Sequence, residues 1–438
     1  MAQQKKQWVA IVMMYFLFAM IAFVTNLCSP MAVIVKNQFG ASNFAAQLGN
    51  SANFIAYLVM GIPSGMLLKK IGYKKTALLA IAIGIVGVYI QYMSGWDSIQ
   101  SFWVYLLGAF IAGLTMCMLN TVVNPMLNTL GGGGNKGNQL VQFGGVCNSL
   151  AAVAVTIIMG SLIGEAAKAH IADATPALFI AMGVFALAFI VLFFTHIEEP
   201  ELDKTAKPEL QASTSTRHYS AFSFRHFNLG ILAIFLYLGL EVGPPTYVLQ
   251  YLTTPTTEAT PGLGIDATIA GTIVAVYWFL MLVGRLLGGM IAGNVSSRTQ
   301  ITCVSSASII LILLGMFLPQ DITISMPGVY WAKLQLMSAP VPIGVMCFIL
   351  IGLLTSVMWG GIFNMAVEGL GKYTSIASGA FMTMVFGCAI LIPLQGWIAD
   401  ISGSYMTSFV SVILCAAYIL FYAQIGSKNV NKDIPVED

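Results

Sequence analysis

Apolar residues in this chain come in long, nearly unbroken runs separated by short polar punctuation. They fall near 8–35, 45–68, 76–94, 100–128, 140–164 and 176–196, then 228–252, 266–294, 299–318, 343–366, 375–397 and 405–425. Each run can cross a hydrocarbon layer about 30 Å thick as a helix. Spans of this length satisfy their own backbone in lipid, whereas a membrane β-barrel would show weak alternating segments of about ten residues. The pattern predicts an all-α membrane protein of twelve transmembrane helices.

The longest hydrophilic stretch, His196 to Asn228, lies between the sixth and seventh runs and carries Glu198, Glu199, Glu201, Asp203, Lys204, Lys207 and Glu209. It predicts a six-helix bundle over 1–196, a cytoplasmic linker over 197–227, and a second six-helix bundle with a short cytoplasmic tail over 228–438. The halves echo each other. Gly65-Met66-Leu67 before Lys74 answers Gly289-Met290-Ile291 before Arg298, and Gly113-Leu114 with Leu130-Gly131 answers Gly352-Leu353 with Leu370-Gly371. Duplicated six-helix units predict two pseudo-symmetric repeats with a substrate site near the midplane between them.

Composition agrees: 58% of residues are hydrophobic and 8% charged, too apolar for a soluble domain. The net charge of +2 says less than where the basic residues sit. Lys5, Lys6, Lys69, Lys70, Lys74, Lys75, Lys136, Lys204, Lys207, Arg217, Arg225, Arg298, Lys372, Lys428 and Lys432 fall on one side if the spans alternate; Lys36, Lys168 and Lys333 fall on the other. This bias predicts a multi-pass protein of the cytoplasmic (inner) membrane with both termini cytoplasmic. The first run has no small-residue cleavage site and reads as a retained helix. The seven cysteines lie in or beside apolar runs without CxxC spacing, so neither disulfides nor a metal cluster is expected. Gly131 to Gly134 reads as a flexible turn, since no strand precedes it and no GKS or GKT follows. Gln320 to Pro342 is expected to be a long outer loop in which Val329, Tyr330 and Trp331 rest on the membrane interface.

Glu241 is the acid nearest the middle of any span. A carboxylate held at that depth faces other helices or a wet cavity, where it can bind a proton or a cation; the bland alternative is a protonated structural donor. Pro244 and Pro245 follow it, so the carbonyls of Leu240 and Glu241 lose their usual partners and the helix is expected to kink or break there. A broken helix beside a carboxylate suits a proton or sodium ion.

The first half supplies amides and hydroxyls instead of acids: Thr25, Asn26 and Ser29 in span one; Asn120, Asn124 and Asn128 in span four; Gln142, Asn148 and Ser149 in span five. Each can line a cavity for a polyhydroxyl solute or simply join helices. In the second half Tyr237, Tyr247, Tyr277, Trp278 and Trp359 lie near the depth of Glu241, with Asn364 closer to the cytoplasm. Their rings can stack on a sugar or fill helix interfaces. Arg285 reads as gate or scaffold, able to snorkel or cap a helix end. Lys69, Lys70, Lys74 and Lys75 set topology and lock the inner gate, and Glu368 and Asp400 are read as helix-end pairs.

Several stretches resemble the L-fucose:proton symporter family of the major facilitator superfamily. They are Thr25-Asn26-Leu27, Ser42-Asn43-Phe44, Gly61 to Lys70, Asn124-Pro125, Asn148-Ser149-Leu150, Tyr237 to Glu241, and Gly396-Trp397-Ile398-Ala399-Asp400. The resemblance implies a carrier of hexoses or related sugars moving with a cation. This chain departs from the fucose symporter itself, which has carboxylates where Ser29 and Asn120 stand and a sugar-binding Gln where Gly145 falls; Gln142 sits one turn away. Glu241 resembles the acid that glucose and galactose carriers of the family hold in span seven.

Together these readings predict a sugar symporter working by alternating access. Glu241 is the cation-coupling residue, Asn26, Ser29, Asn120, Asn124, Gln142, Asn148, Tyr237, Tyr277, Trp278, Trp359 and Asn364 bind substrate, and Lys69, Lys70 and Arg285 serve as gate or scaffold. No cofactor is expected, and the coupling ion is Na+ or H+. Sodium is favoured because the fucose symporter's proton-handling acids are missing while Asn and Ser oxygens remain. An uncoupled facilitator or a non-transporting sugar sensor are the alternatives. An enzyme is not expected, because His170, His196, His218 and His226 lie in loops or at span ends. The expected partners are a small sugar and the lipid bilayer, with no nucleic acid, and two halves in one chain complete a monomeric transport unit.

Overall fold

The structure is a computed structural model describing residues 2–130, 134–163, 168–195, 219–291, 295–330, 335–370, 373–431 and 433–436. Its first half contains α1 (Ala2–Gln38), the short α2 (Asn43–Ala46), α3 (Leu48–Ile71), α4 (Tyr73–Met93), α5 (Phe102–Leu130), α6 (Gly134–Ile163) and α7 (Thr175–Phe194). The second contains α8 (Arg225–Thr253), α9 (Ala267–Ile291), α10 (Ser297–Phe317), α11 (Ile343–Thr355), α12 (Met358–Val367), α13 (Thr374–Thr383), α14 (Gly387–Ser402), α15 (Tyr405–Ser408) and α16 (Val410–Phe421). Among the described residues, eleven helices are long and apolar enough to cross a membrane, and α11 with α12 makes a twelfth crossing bent by 42°. Most of the expected linker, the glycine turn and Lys372 lie outside the described residues.

The bend in the tenth crossing has a local cause. The Thr355 hydroxyl donates to the carbonyls of Ile351 and Gly352, and the Ser356 hydroxyl to that of Leu353. Hydroxyls that bond back to carbonyls one turn earlier compete with the helix ladder and bend it. The eleventh crossing is likewise interrupted, with a 3₁₀ turn at Met384–Phe386 joining α13 to α14.

The expected loop between α10 and α11 is instead a β-hairpin, β1 (Thr323–Tyr330) paired antiparallel with β2 (Gln335–Pro342) from Thr323↔Pro342 to Tyr330↔Gln335. Pro327, Gly328 and Pro340 disguise it, since these residues read against a strand yet are tolerated where both strands are edges. The hairpin packs on α9, where the Val329 amide reaches the Thr272 hydroxyl at 3.4 Å. The side chains of Tyr330 and Trp331 lie outside the described residues.

Polar residues tie the bundle at both ends. On the face carrying the chain termini, Lys74 donates to the carbonyls of Phe193 and Thr195 and so caps α7 with a cation. His226 meets the Glu368 carbonyl at 2.9 Å, and the Arg225 amide donates to Asn431. On the opposite face Lys36, Asn43, Asp400 and Tyr405 are joined by hydrogen bonds. Between these faces α6 packs on α9 and α14 on α3, so each half contributes a wall to one central seam. At that seam Gly160 lies against Gly271, where a Cβ on Gly160 would come within 2.5 Å of the Ala267 carbonyl oxygen. Small residues of this kind let helices approach in lipid, where dispersion rather than hydrophobic expulsion holds them.

Within the first half the same constraint fixes α3 against α5: a Cβ on Gly113 would collide with the Asn53 carbonyl oxygen. Gly113→Val should cost about 1–3 kcal/mol through overpacking. Thermal unfolding of the purified protein in detergent should register this as a lower midpoint, and an unchanged midpoint would refute the contact.

Candidate functional site: the seam around Glu241 and Arg285

Helix α8 sets the depth of Glu241. It runs without a break from Arg225 to Thr253 despite Pro244 and Pro245, contrary to the expected break. Proline at 245 removes the amide that would serve the Glu241 carbonyl. The Tyr277 hydroxyl of α9 replaces it, donating to that carbonyl at 2.7 Å. The oxygen expected to be free for a cation is therefore occupied.

The Glu241 carboxylate faces Arg285, with Oε1 and Nη2 3.8 Å apart and both side chains largely buried, at 15% and 18% exposure. That separation is an ion pair rather than a hydrogen bond. Arg285 makes its hydrogen bonds elsewhere: Nη1 donates to the Gly145 carbonyl at 2.7 Å and the Ser149 hydroxyl at 2.9 Å, both on α6. It neither snorkels nor caps its own half. It reaches across the seam and holds an acid of the second half and a helix of the first together.

Tyr237 and Tyr277 are fully buried and committed to protein partners. Tyr237 donates to the Thr355 carbonyl at 3.3 Å and packs its ring 6.0 Å from Trp359; the Tyr277 hydroxyl lies 3.3 Å from the Thr355 hydroxyl. Both tyrosines thus grip the bend of the tenth crossing. Trp359, half-buried, also packs on Phe381.

Farther toward the face opposite the termini, Asn26, Ser29 and Thr156 of the first half meet Pro245 and Trp278 of the second around a cavity of about 10 Å³. That is room for about one water and far too little for a sugar. The Ser29 and Thr246 hydroxyls lie 2.8 Å apart across the same seam. Sequence reasoning missed Thr156 and Thr246. Thr156 was findable, since it lies two turns from Ser149 on the same face of α6.

Other candidates sit apart from the cavity. Asn120 donates to the Tyr57 hydroxyl at 3.0 Å and to the Met116 carbonyl, and Asn124 donates to the Asn120 carbonyl. Asn148 is half-buried on α6, while Asn364 is exposed on α12. The side chains of Gln142 and Lys69 lie outside the described residues. Lys70 is exposed beside Pro63, Met66 and Leu67 at a wide opening of about 590 Å³ on the face of the termini. Among the described residues, no three His, Cys, Asp or Glu side chains converge as metal ligands.

The repair of the proline gap is directly testable. Tyr277→Phe leaves the Glu241 carbonyl unserved in a buried setting and should lower stability by about 1–3 kcal/mol, measured as a fall in the thermal midpoint. No fall would mean the hydroxyl is dispensable there.

Comparison with known proteins places this geometry. The Major Facilitator Superfamily description matches residues 13–393. A glucose/galactose transporter of Brucella abortus biovar 1 (strain 9-941) is 27% identical over 435 residues, covering 98% of this chain and 96% of that protein. The L-fucose-proton symporter of Escherichia coli (strain K12) is 22% identical, covering 94% and 92%. Among solved structures, the transporter FucP in the outward conformation aligns with a TM-score of 0.65 at 19% identity over 97% of this chain and all of that one. The nucleoside transporter NupG, in a mutant form, aligns at 0.63 and 15% identity over 95% and 98%. A twelve-crossing bundle with a polar seam, a family match over residues 13–393 and relatives that are transporters make this chain a membrane transporter, not an enzyme, and a member of the Major Facilitator Superfamily.

Proposed function

We propose that this protein imports a hexose or related sugar by cation-coupled symport, with the halves 1–196 and 228–438 rocking around the seam to give alternating access. The basic-residue bias supports a cytoplasmic membrane setting with both termini inside, and a single chain supplies both walls of the seam. Relatives named as glucose/galactose transporters match nearly end to end, which supports the sugar class.

The observation that carries the reading is the Arg285 guanidinium, which holds Glu241 while bonding Gly145 and Ser149 across the seam. Neutralising Glu241 removes the ion pair and frees Arg285 to change partners, so a charge event on one carboxylate becomes a change in how the halves are joined. The same guanidinium argues for a proton as the driving ion. Sodium at Glu241 would meet a fixed positive charge within a few ångströms and find one neighbouring carbonyl already taken, whereas a proton needs only the carboxylate. This outweighs the supply of Asn and Ser oxygens that favoured sodium from the sequence. The sugar would enter between Asn26, Ser29 and Trp278 once the small cavity there widens, its hydroxyls meeting the amide and hydroxyl and its ring the indole.

The test is uptake of radiolabelled hexoses into proteoliposomes with proton and sodium gradients imposed separately. An inward proton gradient should drive accumulation that declines as the external pH rises, because the proton-loaded carrier becomes scarcer. Glu241→Gln should abolish accumulation while leaving downhill equilibration. Accumulation driven by sodium alone would overturn the proton assignment. Equal accumulation in the variant would overturn Glu241 as the coupling group, and no concentrative uptake of any sugar would leave a facilitator or a different substrate.

A further inference from the structure

The face opposite the chain termini is closed by a set of cross-half bonds that the transport site does not use. Asp400, near the end of α14, was expected to pair at a helix end. The end it meets is the start of α2, in the first half. Its Oδ1 accepts from the Asn43 amide at 3.1 Å and from Asn43 Nδ2 at 2.6 Å, and its Oδ2 accepts from the Phe44 amide at 2.9 Å. Asn43 Oδ1 accepts from the Tyr405 hydroxyl at 2.9 Å, and that hydroxyl accepts from Lys36 Nζ at 3.2 Å. Because Tyr405 has one proton and gives it to Asn43, the Thr254 hydroxyl 2.9 Å away must donate to it. Lys36, Tyr405, Asn43 and Asp400 therefore form one chain of hydrogen bonds that passes between the halves at every link.

Gly396 stands one turn before Asp400 on the same face of α14. A Cβ there would lie 2.5 Å from the Tyr247 hydroxyl and 2.9 Å from the Asn43 carbonyl oxygen, so glycine is what lets α14 approach close enough for Asp400 to reach its partners. Deeper in the seam the Ser51 hydroxyl donates to the Ala389 carbonyl at 2.6 Å. The bond to Phe44 is solvent-exposed. Water can take over that carboxylate oxygen as the halves part, which makes the contact reversible.

We propose that Asp400 and Gly396 form a latch that holds the face opposite the termini shut, and that its release is the step that opens that face. The latch rests on the alternating-access reading above but not on the identity of the sugar or the ion. Three charge-assisted bonds in a partly wet setting bias a two-state equilibrium without locking it.

Thr246, fully buried in the closed seam, is the reporter. In vesicles exposing the face opposite the termini, the full chain carrying Thr246→Cys with the exposed Cys303 replaced by Ser is treated with a membrane-impermeant maleimide. Labelling at each thiol is then read by mass spectrometry. Adding Asp400→Asn or Gly396→Ala should speed labelling at 246 about tenfold, the scale of a typical coupling free energy. Cys415, buried within the second half, should stay unlabelled. Unchanged labelling at 246 in both variants would overturn the latch. So would labelling of Cys415 in step with 246, which would signal general loosening. The assay uses neither sugar nor gradient, so failure of the symport reading appears in uptake and failure of the latch appears only here.

Discussion

A guanidinium in the middle of an apolar bundle must be surrounded by acceptors, and that requirement on Arg285 organises the seam. Leaving a charge buried without its partner costs about 3–5 kcal/mol, so Arg285 keeps whichever acceptors each arrangement of the halves offers. In the arrangement seen here these are the Gly145 carbonyl and the Ser149 hydroxyl on one wall and the Glu241 carboxylate on the other. The carboxylate is the member of this set whose charge can change. A transporter needs chemistry to bias geometry, and here, near mid-span, a titrating group sits beside a contact between the halves.

The same requirement governs the uncharged groups. Two prolines beside Glu241 cost α8 backbone bonds, and a tyrosine from α9 restores one of them without bending the helix apart. A bend in the tenth crossing frees backbone that Tyr237 engages. The aromatic residues on the second-half wall thus hold irregular backbone at membrane depth, which lipid does not tolerate unless protein or water covers it. Tyr237 and Tyr277 are bonded to second-half backbone here, while Trp278, Asn26 and Ser29 line the cavity.

The departures from the fucose symporter pattern acquire a physical sense in this light. Gly145 falls where the resemblance implies a sugar-binding Gln, and its backbone carbonyl receives Arg285. Ser29, in place of a carboxylate, meets Thr246 across the seam as one neutral hydroxyl meets another. Asn120, in place of another, is held by Tyr57 inside the first half.

The sequence by itself determined the crossings, because length and hydropathy decide membrane insertion and each helix closes its own hydrogen bonds. It also marked Glu241, since an acid at mid-span is costly wherever it lies. It did not reveal the hairpin of Thr323–Tyr330 and Gln335–Pro342, whose prolines mask the pairing, nor the continuity of α8 through its prolines, which depends on a hydroxyl 36 residues away. The partners of Arg285 and Asp400 lie 140 and 357 residues away in the chain. No local propensity encodes such separations. Only the packing of one half against the other decided that an arginine read as a scaffold pairs with Glu241, and that an acid read as a helix-end pair fastens the opposite wall.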